Sequence, residues 1–129
     1  MTIKFYYMPE SPPCRAVQMV AATIGLPLDL CYLDLSKGEH YNPDFQAINP
    51  QRVVPAIVDG DFVLWESRAI MAYLVDKYSP GSKLYPKEPC LRAKVDQMLY
   101  FDIGTLYKHQ GTYFVSTFSA ATVRNYNRT

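Results

Sequence analysis

The sequence predicts an α/β domain followed by a helical segment, and three observations support this fold class. Runs of β-branched and aromatic residues at 3–8 and 62–65 have the composition of strands. Segments 14–24 and 68–78 carry apolar residues every three or four positions, which is the spacing of amphipathic helices. Strands and helices therefore alternate in the first part of the chain. Beyond it, helical spacing occurs alone, at 91–107.

The first elements predict a βαβ unit. The strand at 3–8 ends in a proline-rich turn, and the helix at 14–24 follows it. Ser11 stands at the N-cap position of this helix, and the two prolines after it fall in the first turn, where a missing N–H costs little. Gly25 suits the position after the helix, and the loosely alternating residues 28–35 read as a second strand.

The next elements predict a short helix and then a ββα unit. They are a loop at 36–40, a short helix starting at Asn42–Pro43 and ending near Ile48, strands at 53–58 and 62–65, and a helix at 68–78. A tight turn at 59–61 joins the two strands into a hairpin. Ser67 precedes the last helix and is predicted to be its N-cap.

This order of elements, βαβ followed by ββα, is the thioredoxin arrangement. Pro55 supports it, because a proline at the start of a strand costs a ladder hydrogen bond and often marks a cis bond that turns the backbone toward a site. A trans proline in an edge strand is the alternative. We expect a thioredoxin-like domain at 1–79, a linker at 80–90, and a truncated all-α domain at 91–129 whose tail from residue 111 lacks helical spacing.

Composition and charge exclude several classes of protein. The 129 residues include 13 basic and 12 acidic ones, and this balance gives no electrostatic footprint for nucleic acid. No apolar run is long enough to span a membrane, and the N-terminus lacks a signal-peptide core, so we expect a soluble cytoplasmic protein. The cysteines form no CxxC or Cys/His pattern, which argues against a disulfide framework and a metal site. They are Cys14, Cys31 and Cys90.

Ser11 is the first candidate for chemistry. It occupies the place where the dithiol motif of a thioredoxin-like redox protein begins, so a dithiol oxidoreductase is excluded. A hydroxyl at a helix N-terminus can donate a hydrogen bond to an anion such as a thiolate. Lowering a thiol pKa by about two units requires about 2.7 kcal/mol, which is the size of one charge-assisted hydrogen bond plus a helix-terminus contribution. The alternative is that Ser11 only caps its helix.

Glu66 and Ser67 form a second candidate site. The hydroxyl of Ser67 and the free N–H groups of the following helix suit a carboxylate, and the carboxylate of Glu66 suits an ammonium group. Together they match the end of an α-amino acid, which carries both charges. A solvated capping box is the alternative.

Short motifs in a fixed order carry a resemblance to a known family. They are YYMP at 6–9, SPPCRAV at 11–17, GEH at 38–40, NPQ at 49–51, VP at 54–55, LWESRAI at 64–70, LYPK at 84–87 and LYFDIGTLY at 99–107. From residue 3 to about residue 108 the chain resembles the cytosolic glutathione transferases of the serine type, and is most similar to the delta and epsilon classes of arthropods.

The resemblance implies a role for each candidate residue. Ser11 would hold the thiolate of glutathione. Val54 would offer its backbone to the cysteinyl part beside a cis Pro55. Glu66 and Ser67 would hold the ammonium and carboxylate groups of the γ-glutamyl end.

The resemblance also implies residues at the edges of this site. His40 matches a histidine near the glycine end of the peptide. Arg52 stands where the family usually has a histidine, and it either replaces that contact with a permanent charge or points to solvent. Arg68 would lie near a dimer interface. Tyr107 would line the hydrophobic site, with ordinary helix packing as the alternative.

The implied function is transfer of glutathione, as a co-substrate and with no cofactor, to apolar electrophiles in detoxification by a homodimer. The chain departs from the family in its short helical domain. The alternative is therefore a non-catalytic form that binds glutathione or pairs with a partner. A third hypothesis is a monothiol oxidoreductase that works through Cys14.

Overall fold

The computed structural model describes residues 2–114. The chain divides into two compact units, Met1–Tyr85 and Pro86–Thr129, so the division falls inside the predicted linker. Among the described residues, no helix is both long enough and apolar enough to cross a membrane.

The first unit has the predicted order of elements. They are β1 (Ile3–Tyr7), α1 (Pro12–Thr23), β2 (Leu28–Tyr32), α2 (Pro43–Ile48), β3 (Ala56–Asp59), β4 (Phe62–Trp65) and α3 (Ser67–Tyr78). The loop predicted at 36–40 contains two short 3-10 turns, Leu35–Lys37 and Glu39–Tyr41. This confirms the α/β, thioredoxin-like fold class.

Two strands differ from their predicted bounds by more than one residue. β2 ends at Tyr32 because the side chain of Asp34 accepts hydrogen bonds from the backbone N–H groups of Ser36 and Lys37 and starts a 3-10 turn. β3 begins only at Ala56, because the preceding Pro55 has no N–H to donate to a neighbouring strand.

The sheet has the strand order β2-β1-β3-β4. β1 and β2 are parallel, whereas β3 is antiparallel to both β1 and β4. The register pairs Tyr6 with Ala56 and Ala56 with Trp65. The last residues of β1 and β4 therefore lie beside the first residue of β3, at one end of the sheet.

A buried apolar cluster fixes α1 and α3 on one face of this sheet. Alternate residues of β1 point toward that face, whereas Tyr6 points the other way and its ring lies 5.4 Å from that of Phe45 in α2. Burial of each large aliphatic side chain contributes about 1.5–3 kcal/mol, so this cluster determines where both helices lie. Its members are Ile3, Phe5, Cys14, Val17, Ala21, Ile57, Ile70 and Leu74.

The second unit is helical from Pro89 to Phe114. It consists of α4 (Pro89–Phe101), a π-helical segment (Asp102–Leu106) and α5 (Tyr107–Phe114). The carboxylate of Glu88 caps α4 by accepting hydrogen bonds from the backbone N–H groups of Cys90 and Leu91. No side chain of α4 is buried.

The prediction that helical structure is absent after residue 110 was wrong as far as Phe114. Side-chain hydrogen bonds one turn back support this stretch in place of an apolar face. The hydroxyl of Thr112 donates to the carbonyl oxygen of Lys108 at 3.0 Å, and Nδ1 of His109 lies 2.6 Å from the carbonyl oxygen of Thr105. The rest of the predicted tail, 115–129, lies outside the described residues.

Asp59 joins the β3–β4 turn to the last two turns of α3. Its Oδ2 accepts hydrogen bonds from the hydroxyl of Tyr73 at 2.7 Å, from Nζ of Lys77 at 2.7 Å and from the hydroxyl of Tyr78 at 2.6 Å. Burial raises the pKa of Asp59, but these hydrogen bonds outweigh burial and lower the pKa from 3.8 to about 2. The carboxylate is therefore ionised at neutral pH and holds the helix to the hairpin.

We expect Asp59→Asn to lower the free energy of unfolding at pH 7 by about 1–2 kcal/mol, because the amide loses the charge that all three donors bind. The pKa of Asp59 is lower in the folded state than in the unfolded state. Its contribution to stability is therefore complete above about pH 4 and is lost as the pH falls toward about 2. Urea unfolding at pH 7 and at about pH 2, followed by the fluorescence of Trp65, measures the difference in stability between wild type and variant.

The matched control is Asp61→Asn, which removes an exposed carboxylate from the same turn and should leave the urea midpoint unchanged. Equal losses of stability on acidification in wild type and Asp59→Asn would contradict the assigned contribution.

Candidate functional site

Three loops leave the sheet at the same end. The first follows β1, the second precedes β3, and the third follows β4. Their proximity is a consequence of the register, since Ala56 pairs with Tyr6 on one side and with Trp65 on the other. Four of the candidate residues lie in these loops, namely Ser11, Val54, Pro55 and Glu66, and Ser67 follows as the first residue of α3.

Ser11 is the N-cap of α1, as the sequence predicts. Its Oγ accepts a hydrogen bond from the backbone N–H of Cys14 at 3.4 Å, and its own backbone N–H donates to the carbonyl oxygen of Met8 at 3.1 Å. The cap uses a lone pair of the serine oxygen and does not consume the hydroxyl proton, for which the Cys14 sulfur is an acceptor within the protein. Capping and anion binding are therefore compatible roles for Ser11.

The first turn of α1 has few backbone donors left for a ligand. Pro12 and Pro13 have no N–H, the N–H of Cys14 is bonded to Ser11, and the N–H of Arg15 donates to the carbonyl oxygen of Ser11 at 3.1 Å. The hydroxyl proton of Ser11 is therefore the donor that this helix end presents to an anion.

Cys14 lies behind Ser11 and is completely buried. Burial raises the pKa of its thiol, against the opposing effects of hydrogen bonds from Ser11 and from the backbone of Met8. A protonated, enclosed thiol is a poor nucleophile, so the structure argues against the monothiol oxidoreductase hypothesis.

The prediction that Ser67 caps α3 was wrong by one position. Glu66 is the N-cap residue and makes no side-chain capping bond, whereas Ser67 is the first residue of the helix. The hydroxyl oxygen of Ser67 instead accepts a hydrogen bond from Nη1 of Arg68 at 2.7 Å. Its proton is available for a further bond, and Ser67 is only 3% exposed.

Two candidate residues have a left-handed backbone conformation. Within residues 2–114, the non-glycine residues with positive φ are Arg52, at 59°, and Glu66, at 72°. This conformation costs about 1–3 kcal/mol and is concentrated at ligand sites, where the surrounding structure maintains it. Glu66 was selected from the sequence for its charge and Arg52 for its place in a family motif, and the backbone geometry is an independent indication that their loops are functional.

Asn49 is a residue that the sequence analysis quoted only within a motif. It is completely buried, its Nδ2 donates to the carbonyl oxygen of Val53 at 2.8 Å, and its Oδ1 accepts from the backbone N–H of Gln51 at 3.0 Å. These bonds fix the loop that leads into Val54 and Pro55, whose peptide bond is cis as predicted. The signal in the sequence is an asparagine before a proline, which is typical of a side-chain-bonded turn.

His40, Tyr41 and Arg52 form a second group. The rings of His40 and Tyr41 have their centroids 4.0 Å apart, and the guanidinium carbon of Arg52 lies 5.4 Å from the centroid of the Tyr41 ring. Nδ1 of His40 is buried and has no hydrogen-bond partner within the described part of the chain. Tyr41 was not predicted as a site residue, because nothing in the local sequence indicates that its ring lies under an arginine eleven positions later.

The two remaining candidates are Arg68 and Tyr107. Arg68 is tied to Ser67 as described above. Tyr107 is the first residue of α5 in the second unit, and 37% of it is exposed. No three His, Cys, Asp or Glu side chains between residues 2 and 114 are grouped so that they could hold a metal ion.

The loops together offer complementary chemistry. Ser11 and Ser67 each have a hydroxyl proton to donate, Glu66 has an exposed carboxylate, and Arg52 supplies a permanent positive charge. Such a set suits a ligand that carries both anionic groups and an ammonium group.

Comparison with known proteins identifies the family. Residues 5–83 match the family model of the glutathione S-transferase N-terminal domain. Over 117 residues the chain is 49% identical to glutathione S-transferase D7 of Anopheles gambiae, covering 91% of this chain and 54% of that protein.

Solved structures of glutathione transferases are also similar to this chain. A delta-class glutathione transferase of Nilaparvata lugens is 50% identical with a TM-score of 0.86, over 92% of this chain and 56% of that one. A glutathione transferase homologue from Drosophila mojavensis, with bound glutathione, is 41% identical with a TM-score of 0.78, over 80% and 47%. The chain spans about half the length of these relatives. The resemblance inferred from the motifs is confirmed: the chain belongs to the glutathione S-transferase family, and residues 5–83 correspond to the N-terminal domain of that family.

Proposed function

We propose that the protein binds reduced glutathione as a co-substrate at this end of the sheet and transfers it to apolar electrophiles, with no metal or other cofactor. The observation that supports this most directly is the pair of serine hydroxyls, Ser11 and Ser67, which follow β1 and β4 at the same end of the sheet. A solved relative with bound glutathione supports the same ligand.

The chemical step is attack of the glutathione thiolate on an electrophilic carbon of the second substrate. The S–C bond forms as the leaving group departs with its electron pair, and the thiol proton goes to solvent. Ser11 donates its hydroxyl proton to the thiolate and thereby lowers the pKa of the bound thiol. Because the prolines remove competing N–H donors, this bond supplies most of the stabilisation, about 1.5–3 kcal/mol.

The remaining contacts hold the peptide. Glu66 binds the ammonium group of the γ-glutamyl end. Ser67, whose oxygen is held by Arg68, donates to the carboxylate of the same end. The backbone of Val54, beside Pro55, pairs with the cysteinyl part. The glycine end lies toward His40 and Arg52.

Family membership alone supports three further proposals. Tyr107 lines part of the site for the apolar electrophile. The protein acts as a homodimer with Arg68 near the interface. Its setting is cytoplasmic detoxification.

We expect Ser11→Ala to lower kcat for conjugation to an aryl halide by about 10- to 100-fold, because the lost bond is made to the charged thiolate. The dissociation constant for glutathione should change less than about threefold. The apparent pKa in the pH–rate profile should rise, since the hydroxyl stabilises the charged form of the thiol.

Thr23→Ala is the matched control, because it removes an exposed hydroxyl from the last residue of the same helix. Equal losses in kcat and in glutathione affinity for Ser11→Ala would contradict its assigned role. A wild-type chain that binds glutathione without any turnover would favour the non-catalytic alternative.

Ser67→Ala should have the opposite pattern. It removes a donor to the γ-glutamyl carboxylate and not to the sulfur, so we expect about a tenfold weaker affinity for glutathione with the apparent thiol pKa unchanged. Calorimetric titration and the pH–rate profile measure the two effects separately. A shift in that pKa with unchanged affinity would reverse the assignments of the two serines.

Cys14→Ala should leave kcat within about twofold of wild type and lower the free energy of unfolding by about 1 kcal/mol, because a buried sulfur is removed from the apolar cluster. Urea unfolding and the conjugation assay test the two statements. Loss of turnover in Cys14→Ala, together with an active Ser11→Ala, would revive the monothiol hypothesis.

A further inference from the structure

We propose that Tyr41 is a positioning residue of the glutathione site: its ring holds the guanidinium group of Arg52 in the orientation that binds the terminal carboxylate of the peptide. This inference rests on the proposed function and concerns the glycine end of the same ligand. It explains how an exposed arginine is oriented at this site.

The first step is the contact between the two side chains. The guanidinium carbon of Arg52 lies 5.4 Å from the centroid of the Tyr41 ring, within the range of a cation–π interaction. An exposed arginine otherwise samples many rotamers, and ordering them opposes ligand binding. Resting the planar guanidinium on a ring removes part of that entropy loss before the ligand arrives.

The second step is that the backbone of Arg52 is already fixed. Its φ of 59° is left-handed, and its backbone N–H donates to the carbonyl oxygen of Asn49 at 2.9 Å. Asn49 is itself buried and holds both sides of the loop. The starting direction of the Arg52 side chain is therefore set, and the ring of Tyr41 constrains its far end.

The third step is that Tyr41 is held although it is 57% exposed. Its backbone N–H donates to the carbonyl oxygen of Gly38 at 2.9 Å, and its carbonyl oxygen accepts from Nε2 of Gln46 at 2.6 Å. Its ring also contacts the ring of His40, with centroids 4.0 Å apart. Because the ring of Tyr41 is exposed and fixed in place, its role is better explained as support for the neighbouring cation than as packing in the core.

We expect Tyr41 and Arg52 to act together on the glycine carboxylate of glutathione. Two ligands separate this carboxylate from the rest of the peptide: glutathione, and glutathione esterified at its glycine carboxyl group. Dissociation constants for both are measured by quenching of Trp65 fluorescence, on wild type, Tyr41→Leu, Tyr41→Phe, Arg52→Gln and the double variant Tyr41→Leu/Arg52→Gln.

We expect Tyr41→Leu to weaken glutathione binding about three- to fivefold, the factor expected from a surface cation–π contact. Arg52→Gln should weaken it about tenfold, the factor of a charge-assisted hydrogen bond. Neither should alter binding of the ester. Tyr41→Phe, which keeps the ring, should bind both ligands as wild type does, and the double variant should be no weaker than Arg52→Gln.

Two outcomes would overturn the inference while leaving the proposed function intact. One is that Tyr41→Leu weakens both ligands equally, which indicates a general structural effect. The other is that it weakens glutathione binding further in the Arg52→Gln background, which shows that it does not act through Arg52. A wild-type chain that binds neither ligand would overturn the proposed function as well.

Discussion

The antiparallel placement of β3 between β1 and β4 is the constraint on which the candidate site depends. It brings the start of one strand beside the ends of the two others, so loops far apart in the sequence leave the sheet together. A purely parallel arrangement would put the start of β3 at the opposite end, away from Ser11. The buried cluster beneath α1 and α3 maintains this placement, because both helices pack on the same face of the sheet.

At the candidate site, the hydroxyl groups of Ser11 and Ser67 each combine a structural role with a role in ligand binding. At Ser11 the oxygen satisfies a backbone N–H of its own helix, and at Ser67 it accepts from the guanidinium of Arg68. In both cases the structural bond uses a lone pair and leaves the proton for a ligand. The double proline after Ser11 reinforces this division, since it removes backbone donors that would otherwise share the anion. At each serine, one hydroxyl group thus serves both a structural contact and a contact with a ligand.

The sequence predicts the elements whose determinants are local. Ser11 followed by two prolines marks the start of α1, and the hairpin follows from a short turn between apolar strands. Prediction from the sequence fails where tertiary contacts determine the start or end of an element. The left-handed Glu66 moves the start of α3 by one residue, and hydrogen bonds along Lys108–Thr112 continue a helix that has no apolar period. The same distinction determines which site residues can be predicted. Ser11 and Ser67 have local signatures, whereas the burial of Asn49 and the contact of Tyr41 with Arg52 exist only once the loops have come together.

The bond network of Asp59 has a consequence for the motions of α3. The helix is joined covalently to β4 at its N-terminus, and Asp59 binds its C-terminal turns to the opposite end of the same hairpin. Both ends of α3 are therefore attached to the hairpin, and its C-terminal turns cannot fray without breaking bonds at the β3–β4 turn. The amides of α3 should then exchange with solvent in one cooperative opening together with those of β3 and β4. The end that presents Ser67 owes its rigidity partly to a carboxylate at the other end of the domain.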